Sequence, residues 1–383
     1  MVVVSESSPE TRHAFVTEWL DPNSGIRWTY QLFHYPAVGE VEMHDVKNRR
    51  MFLKRCRSDL RPGDLYVGAT VSLFARHLKI TDYGDDATRA ALEPRAERTC
   101  AIVKPDGVER LGRIMHAIGE TGLAVASLRM AQLTRGDAEA FYGGHVGKPF
   151  FGRLVEFMSG GRVVAMELVG PGAVARWRQA LGPTDSEQAR AEAPESIRAA
   201  FGTDGTMNAC HGSDSPAAAA EELNFFFGSG STVRRCGTNQ GTTLAIVKPH
   251  AVRDGATGLI VDLIQEKFSI NAMEMLSLDQ ANAAEFYEVY RGVVNPAEYN
   301  GMVDELISGL FIVMEVADRD SLEAVEPFRE FCGPADPEIA RVLRPKSLRA
   351  RFGVNKVQNA VHCTDLPEDG ELEVSYFFTV MQN

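Results

Sequence analysis

Two short motifs occur twice in this chain, and this repetition constrains its fold more than any other feature. The segment Thr99–Val108, TCAIVKPDGV, returns as Thr243–Val252, TLAIVKPHAV, and the segment Asn208–His211, NACH, returns as Asn359–His362, NAVH. In each copy the lysine motif comes first and the histidine motif follows roughly a hundred residues later, which is the usual length of one domain. The sequence therefore predicts a tandem duplication.

Composition narrows the class of protein. The chain has 383 residues, 44% of them hydrophobic and 8% aromatic, which is ordinary for a soluble protein of two or three domains. A formal net charge of −12 argues against a general nucleic-acid binder. Neither a membrane-spanning apolar run of about 18 residues nor a signal peptide is evident, so we expect no membrane association and a location in the cytoplasm.

The cysteines lack the paired spacing of a zinc site, and we interpret them as reduced, small apolar residues. They are Cys56, Cys100, Cys210, Cys236, Cys332 and Cys363.

The residues around His211 have the pattern of a strand end and a helix start that together present an imidazole side chain. Thr206–His211 has the pattern of a short buried strand, and Gly212 is expected to give the backbone the freedom for a tight exit. Pro216 then fits the first turn of a helix, with Ser213 to Ser215 as candidate caps. That helix carries Glu222, which is spaced to hold one ring nitrogen and leave the other free as a nucleophile or base. A single histidine is more often structural, and the second copy favours the functional interpretation.

The region before the repeats is rich in strand signals. Arg27–Phe33 alternates, Met51–Leu53 and Leu65–Val71 are apolar or β-branched, and Arg61–Asp64 is a turn sequence. These patterns predict a small antiparallel domain. A basic cluster lies within it, either as a solvated strand face or as a docking surface for an acidic partner. The basic cluster consists of Lys47, Arg49, Arg50, Lys54, Arg55, Arg57 and Arg61.

The run Glu42–Arg55, followed by Asp82–Asp85, resembles the DM-ten domain of axonemal proteins, a compact β module similar to the pleckstrin-homology fold. Its position before two kinase-like repeats makes nearly the whole chain similar to the ciliary three-domain nucleoside diphosphate kinases. The expected fold class is therefore α+β: a pleckstrin-like antiparallel β domain followed by two tandem ferredoxin-like βαββαβ kinase domains. The expected domains are residues 1–92, 97–227 and 242–383, with a Gly- and Ser-rich linker at 228–241.

Phosphoryl transfer requires cations, amide donors and an in-line nucleophile. The chain lacks a P-loop motif, so the usual ATPase interpretation fails. Repeat one offers Lys104, Arg178 and Arg198 as candidate phosphate ligands and His211 as the attacking group.

The resemblance implies further roles in repeat one. Phosphate binding falls to Lys104, Arg178, Thr184 and Arg198, and a hydrogen bond near Lys104 falls to Tyr142. Base stacking falls to Phe150, ribose contact to Asn208, phosphorylation to His211, orientation of its ring to Glu222 and support of that pair to Ser213. The alternatives, considered singly, are that Phe150 is a core residue and Arg178 a solvated one.

The implied reaction is a ping-pong transfer from a nucleoside triphosphate to His211 and then to a nucleoside diphosphate. Mg²⁺ is expected to arrive on the phosphates of ATP or GTP, without a protein metal site.

Repeat two keeps most of these residues at matching places: Lys248, Tyr287, Arg329, Arg349, Asn359, His362 and Glu373. Its departures are His250 for Asp106, about Glu298 beside Tyr299 for Phe150, Ala335 for Thr184, Cys363 for Gly212 and Thr364 for Ser213. Because the stacking platform and the hydroxyl are lost, we expect repeat two to bind nucleotide weakly or not at all. Its expected role is mainly structural, packed against repeat one as a pseudo-dimer.

Two hypotheses remain. The first is a nucleoside diphosphate kinase incorporated into the ciliary or flagellar axoneme, and the second is a primarily structural microtubule inner protein with incidental kinase activity. The resemblance implies cytoskeletal partners in both: tubulin, other axonemal doublet proteins and the γ-tubulin ring complex.

Overall fold

The computed structural model describes residues 11–21, 24–74, 76–237 and 239–382. Residues 1–10, which belong to the first predicted domain, lie outside these ranges. The chain divides into two compact units, residues 1–97 and 98–383, so both repeats belong to one unit.

The first unit is an antiparallel sheet with one short helix. Its strands in the described residues are β1 His13–Leu20, β2 Arg27–Tyr35, β3 Glu40–Asp45, β4 Arg50–Arg57, β5 Thr70–Leu73 and β6 Arg76–Tyr83, in the spatial order β4-β3-β2-β1-β6-β5. Helix α1, Asp86–Leu92, begins at Asp85, whose carboxylate accepts a hydrogen bond from the Thr88 amide at 2.7 Å. The Thr88 hydroxyl in turn accepts from the Ala14 amide at 2.9 Å, which joins the helix to β1.

This sheet agrees with the expected small antiparallel domain, and its pleckstrin-like character stays a prediction. The predicted strand Leu65–Val71 is wrong in extent, because only its last two residues belong to β5. Gly68 adopts φ +101° and donates its amide to the Ile80 carbonyl, so the chain turns here instead of continuing as a strand.

Repeat one follows the ferredoxin-like order. Its elements are β7 Glu97–Val103, α2 Leu111–Glu120, β8 Ala124–Gln132, α3 Arg135–Phe141, α4 Phe151–Ser159, β9 Arg162–Gly170, α5 Ala173–Leu181, α6 Ser186–Glu192, α7 Ile197–Phe201, β10 Cys210–Gly212 and α8 Pro216–Phe227. The four strands lie in the order β10-β7-β9-β8. The predicted strand Thr206–His211 is wrong in its first part, because Ala209 has φ +63° and only Cys210 to Gly212 pair with β7.

Repeat two has the same plan. Its elements are β11 Thr243–Val247, α9 Pro249–Arg253, α10 Thr257–Gln265, β12 Phe268–Leu276, α11 Gln280–Phe286, α12 Pro296–Leu306, β13 Phe311–Asp318, α13 Val325–Cys332, α14 Pro337–Leu343, α15 Leu348–Phe352, β14 Val361–Cys363 and α16 Gly370–Phe378. The strands of repeat two extend the sheet of repeat one in the order β12-β13-β11-β14. One buried apolar core contains residues of both repeats.

The two halves of the sheet meet where β8 pairs with β12 at Arg129 and Glu274. The Arg129 guanidinium donates to the Glu274 carboxylate at 3.0 Å, and their side chains are only 14% and 6% exposed. Arg129 also donates to the Phe226 carbonyl at 2.7 Å, in the last turn of α8. The largely buried Arg129 guanidinium therefore joins Glu274 of repeat two to the C-terminal end of α8, the helix that follows the histidine strand.

Helices α2 and α10 pack with their backbones nearly touching. A Cβ atom on Gly112 would lie 2.1 Å from the Asp262 amide nitrogen, and one on Gly258 would lie 2.5 Å from the His116 amide nitrogen. The Gln265 side chain accepts from the Gly112 amide at 2.9 Å and donates to the Val108 carbonyl at 2.7 Å. The repeats thus join through close helix packing as well as through the sheet.

Candidate active site

Two loops hold each other at the C-terminal end of β7. The Lys104 amide donates to the Ala209 carbonyl at 2.8 Å, and the Ala209 amide donates to the Asp106 carboxylate at 3.0 Å. Because an alanine at positive φ is uncommon, this arrangement stores local strain, which often accompanies function. The lysine motif and the histidine motif are therefore one structural unit.

The His211 side chain belongs to a short hydrogen-bonded relay. Its Nε2 lies 3.0 Å from the Glu222 carboxylate, and the Ser213 hydroxyl donates to the same carboxylate oxygen at 2.6 Å. The Cys100 amide donates to the Ser213 hydroxyl at 3.0 Å, so β7 fixes the relay. A carboxylate at Nε2 keeps the proton on that nitrogen, and Nδ1 makes no hydrogen bond within the described part of the chain.

Helix α8 positions Glu222 as the sequence predicts. Pro216 stands in its first turn, and the Ser215 hydroxyl caps it by accepting from the Ala218 amide at 3.1 Å. Aromatic rings enclose the imidazole: those of Phe141 and Tyr142 lie edge-on at centroid distances of 5.4 and 6.1 Å. The imidazole therefore stands between a fixed carboxylate and an apolar wall.

Three polar side chains lie close to the histidine motif: Lys104 and Tyr142 are buried, and Arg198 is partly buried. Lys104 Nζ donates to the Asn208 amide oxygen at 2.7 Å and to the Thr206 carbonyl at 3.0 Å, and burial lowers its pKa to about 8. Arg198 donates to the Gly182 and Cys210 carbonyls, while its Nε has no partner among the described residues. The Tyr142 hydroxyl also lacks one, and burial raises its pKa. These donors suit an anion with several oxygens.

The remaining predicted residues lie at the rim. Phe150 precedes α4 and is 43% exposed, Thr184 is exposed, and Arg178 pairs with Asp214 at the surface. Asn208 is buried instead, with its amide oxygen accepting from Lys104 and its amide nitrogen donating to the Thr184 carbonyl at 2.8 Å. Its contact with a ribose stays a prediction, as do the roles of the others.

The sequence missed Trp177, whose indole N–H donates to the His211 carbonyl at 3.1 Å and fixes the backbone under the imidazole. The expectation that Gly212 supplies backbone freedom is wrong, because its φ is not positive. A Cβ there would lie 2.6 Å from Trp177 Cδ1 and 2.9 Å from Leu181 Cδ1, so the glycine provides space. In repeat two, Phe328 and Cys332 occupy the places of these two side chains.

We expect Gly212→Cys to displace Trp177 and lower the free energy of unfolding by about 1–3 kcal/mol, the usual cost of overpacking. Adding Trp177→Phe and Leu181→Cys, the residues of repeat two, should recover much of that loss. Urea unfolding of the full chain measures both. A single variant as stable as the unsubstituted chain would contradict the packing argument.

Repeat two preserves the relay but not its surroundings. His362 Nε2 lies 3.0 Å from Glu373, and the Thr364 hydroxyl donates to the same carboxylate at 2.8 Å. Lys248 donates to the Val357 carbonyl at 2.8 Å, its pKa is lowered by burial to about 7, and the Asn359 amide oxygen has no partner in the described part.

The expectation that about Glu298 replaces Phe150 stays a prediction. It agrees with Gly161 and Gly309, which lie against Pro105 and Pro249 and follow Phe150 and Glu298 by the same number of residues. Asn295 caps α12, which begins earlier relative to its following strand than α4 does, and Glu298 lies in the first turn with its amide bonded to the Asn295 side chain. Tyr299 is buried, with its hydroxyl donating to the Ala284 carbonyl at 3.2 Å. An exposed aromatic platform is therefore absent from the start of α12.

The profile of the family described as Nucleoside diphosphate kinase matches residues 97–231 and 241–382. The chain is 49% identical over 376 residues to rat (Rattus norvegicus) Nucleoside diphosphate kinase homolog 7, covering 97% of this chain and 94% of that protein. It is 50% identical over 133 residues to the Nucleoside diphosphate kinase of Aquifex aeolicus, covering 34% of this chain and 94% of that one. A crystal structure of the Aquifex enzyme aligns with 35% of this chain and 96% of its own, with a TM-score of 0.34.

The chain therefore belongs to the nucleoside diphosphate kinase family, with two kinase domains and similarity along nearly its whole length to the homolog 7 proteins. Membership implies nucleotide substrates, which the family generally uses with Mg²⁺. No group of three or more His, Cys, Asp or Glu side chains in the described residues is placed to hold a metal ion. Nor do those residues contain a helix with the length and hydropathy to span a bilayer.

Proposed function

We propose that repeat one is a working nucleoside diphosphate kinase that transfers phosphoryl groups through His211. The observation that supports this most is the relay of Glu222 and Ser213 at Nε2, which leaves the lone pair of Nδ1 available for attack. A surface histidine would have neither a fixed tautomer nor such neighbours.

In the first half-reaction His211 Nδ1 attacks the γ-phosphorus of a nucleoside triphosphate. The new N–P bond forms as the bond to the bridging oxygen breaks, and the diphosphate leaves with that electron pair. Glu222 stabilises the positive charge that develops on the ring, and Lys104 and Arg198 neutralise phosphate charge. In the second half-reaction a terminal oxygen of a different nucleoside diphosphate attacks phosphohistidine, and the imidazole is restored.

Repeat two is proposed not to take part. The Asn359 amide oxygen has no partner among the described residues, whereas that of Asn208 accepts from Lys104. Ala335 lacks the hydroxyl of Thr184, and Glu298 stands at about the position of Phe150. These differences support weaker binding of both the phosphates and the base.

The test is a pulse and chase on the full chain with γ-labelled ATP and Mg²⁺. We expect an acid-labile, base-stable label on the His211 peptide, lost on adding GDP as labelled GTP forms. Folded protein that takes up no label would overturn the proposal, and label that GDP cannot remove would overturn its second half-reaction.

The second candidate function is structural, as a component of axonemal doublets in a cilium or flagellum. The resemblance of the N-terminal region to the DM-ten domain supports it, and so does the exposed basic cluster, whose seven side chains are all exposed. Strand β4 ends its sheet and pairs only with β3 in the described residues, and it adds Met51 and Phe52, 50% and 37% exposed. A cationic sheet edge with apolar contacts suits an acidic protein surface such as that of tubulin.

Charge reversal at Lys47, Arg50 and Lys54 is expected to abolish most co-sedimentation with microtubules at low salt, because it changes the local charge by about −6. The matched control reverses Lys346, Arg351 and Lys356, exposed cations of repeat two, and should sediment as the unsubstituted chain does. Equal sedimentation of the two triple variants would favour a merely solvated face. The two functions are compatible, and the kinase assay on the same variants separates them.

A further inference from the structure

The two histidines differ in access although their relays are alike. Glu222 and Glu373 lie at the same 3.0 Å from their imidazoles, yet the His211 side chain is 21% exposed and the His362 side chain only 6%. The nucleophile of repeat two is therefore intact but covered.

One short helical turn near the histidine is present in both repeats and differs in its last residue. Tyr142 directly follows α3 and precedes the turn Gly143–His145, as Tyr287 directly follows α11 and precedes the turn Glu288–Tyr290. Tyr290 thus stands where repeat one has His145.

The Tyr290 hydroxyl donates to the Asp365 carboxylate at 2.7 Å, three residues beyond His362. Its ring lies 5.8 Å from that of Tyr287, which lies 6.1 Å from the His362 ring. The Asp365 carboxylate also lies 3.6 Å from Arg329 Nε. A hydrogen-bonded strap thus runs from the turn after α11 to the loop after β14, beside Arg329, the counterpart of the candidate phosphate ligand Arg178.

Repeat one lacks this strap. His145 lies over the Tyr142 ring at 6.2 Å, nearly parallel to it, and its Nδ1 lies 2.9 Å from Lys148. Asp214, the counterpart of Asp365, is 84% exposed, compared with 45% for Asp365. Among the described residues, its ion-pair partner is Arg178 and no tyrosine reaches it.

We propose that Tyr290, held by Asp365, is a lid that closes repeat two over His362, so that this site excludes phosphoryl donors while keeping a competent nucleophile. The inference rests on the proposed function in treating His362 as the counterpart of His211, and it adds a physical cause for the idleness of repeat two. The lid is a positioning element and not a catalytic residue.

The test uses phosphoramidate, a small phosphoryl donor that needs no base or ribose site. An imidazole nitrogen attacks its phosphorus, the P–N bond breaks and ammonia leaves with the proton. Mass spectrometry of the His211 and His362 peptides of the full chain gives two rates in one sample. In the unsubstituted protein we expect His362 to react severalfold more slowly than His211.

Tyr290→Phe, which removes only the hydroxyl, should raise the His362 rate by about fivefold, as expected for loss of one hydrogen bond of ordinary strength. Tyr290→His, the residue of repeat one, should raise it further. Tyr376→Phe is the control, because its hydroxyl bonds at 3.0 Å to the Asn282 carbonyl away from Asp365 and should leave the rate unchanged. A His211 rate equal to that of the unsubstituted chain shows that the variant leaves the first site unchanged.

Equal rates at both histidines in the unsubstituted chain would overturn the lid, as would unchanged His362 rates in both Tyr290 variants with the His211 rate preserved. The phosphoramidate assay contains no nucleotide, so either result would overturn the lid without affecting the proposed function. The proposed function is tested separately, by the labelling of His211 with ATP. If both Tyr290 variants unfold, His145→Tyr provides the reciprocal test: it should slow His211, and an unchanged rate there would contradict the lid.

Discussion

His211→Ala is expected to abolish phosphoryl transfer between nucleotides, lowering the rate on the order of 10⁴-fold or more, as when a covalent nucleophile is removed. The reason is that neither Lys104 nor Arg198 can accept a phosphoryl group in a form that GDP could remove. The measurement is the steady-state conversion of ATP and GDP to GTP, together with the label retained by the protein after denaturation in base.

His362→Ala is the matched variant, since it removes the same side chain from the same strand position of the other repeat. It should keep the label and the turnover of the unsubstituted chain. Activity that survives His211→Ala but disappears in His362→Ala would reverse the assignment of the working repeat. Loss in both variants would mean that the repeats act together.

Gly112→Ala should have the largest effect on stability, because its added methyl group would lie 2.1 Å from the backbone nitrogen of Asp262 on the facing helix. A clash with backbone cannot be relieved by rotating a side chain, so α2 and α10 must move apart. We expect the free energy of unfolding to fall by about 3 kcal/mol, the upper end of the usual cost of overpacking, measured by urea unfolding of the full chain.

Gly119→Ala is the control on the same helix, because no atom lies within 4 Å of the added methyl group. There the helix propensity of alanine should act alone and stabilise the protein by about 0.5–1 kcal/mol. If both variants changed stability in the same direction and by similar amounts, the close approach of the two helices would not be the cause.

The sequence predicted those features of the site that depend on short-range patterns. The contact between His211 and Glu222 followed from a strand end, a proline and one helical spacing, and the structure confirms that contact. The ferredoxin-like order of strands and helices along the chain followed from the alternation of apolar runs with helical periodicity in each copy. Such patterns are local, so they can be read without knowing which distant segments meet.

Features that depend on distant partners could not be predicted. Gly212 is required because the Trp177 indole occupies the space of a Cβ atom. The proposed lid over His362 depends on a hydrogen bond between Tyr290 and Asp365, which are far apart in the chain. The error at Thr206–His211 has another origin, because the left-handed Ala209 is held by the Asp106 carboxylate against its own preference.

A copy that has lost its chemistry would ordinarily be free to drift or to be deleted over evolutionary time. The ion pair between Arg129 and Glu274 removes that freedom here, because Arg129 also donates to the Phe226 carbonyl at the end of the helix that carries Glu222. Deleting repeat two would leave this guanidinium without its carboxylate partner, directly behind the relay of the first repeat. Loss of Glu274, a residue of the repeat that we propose to be idle, is therefore expected to disturb the helix that positions Glu222.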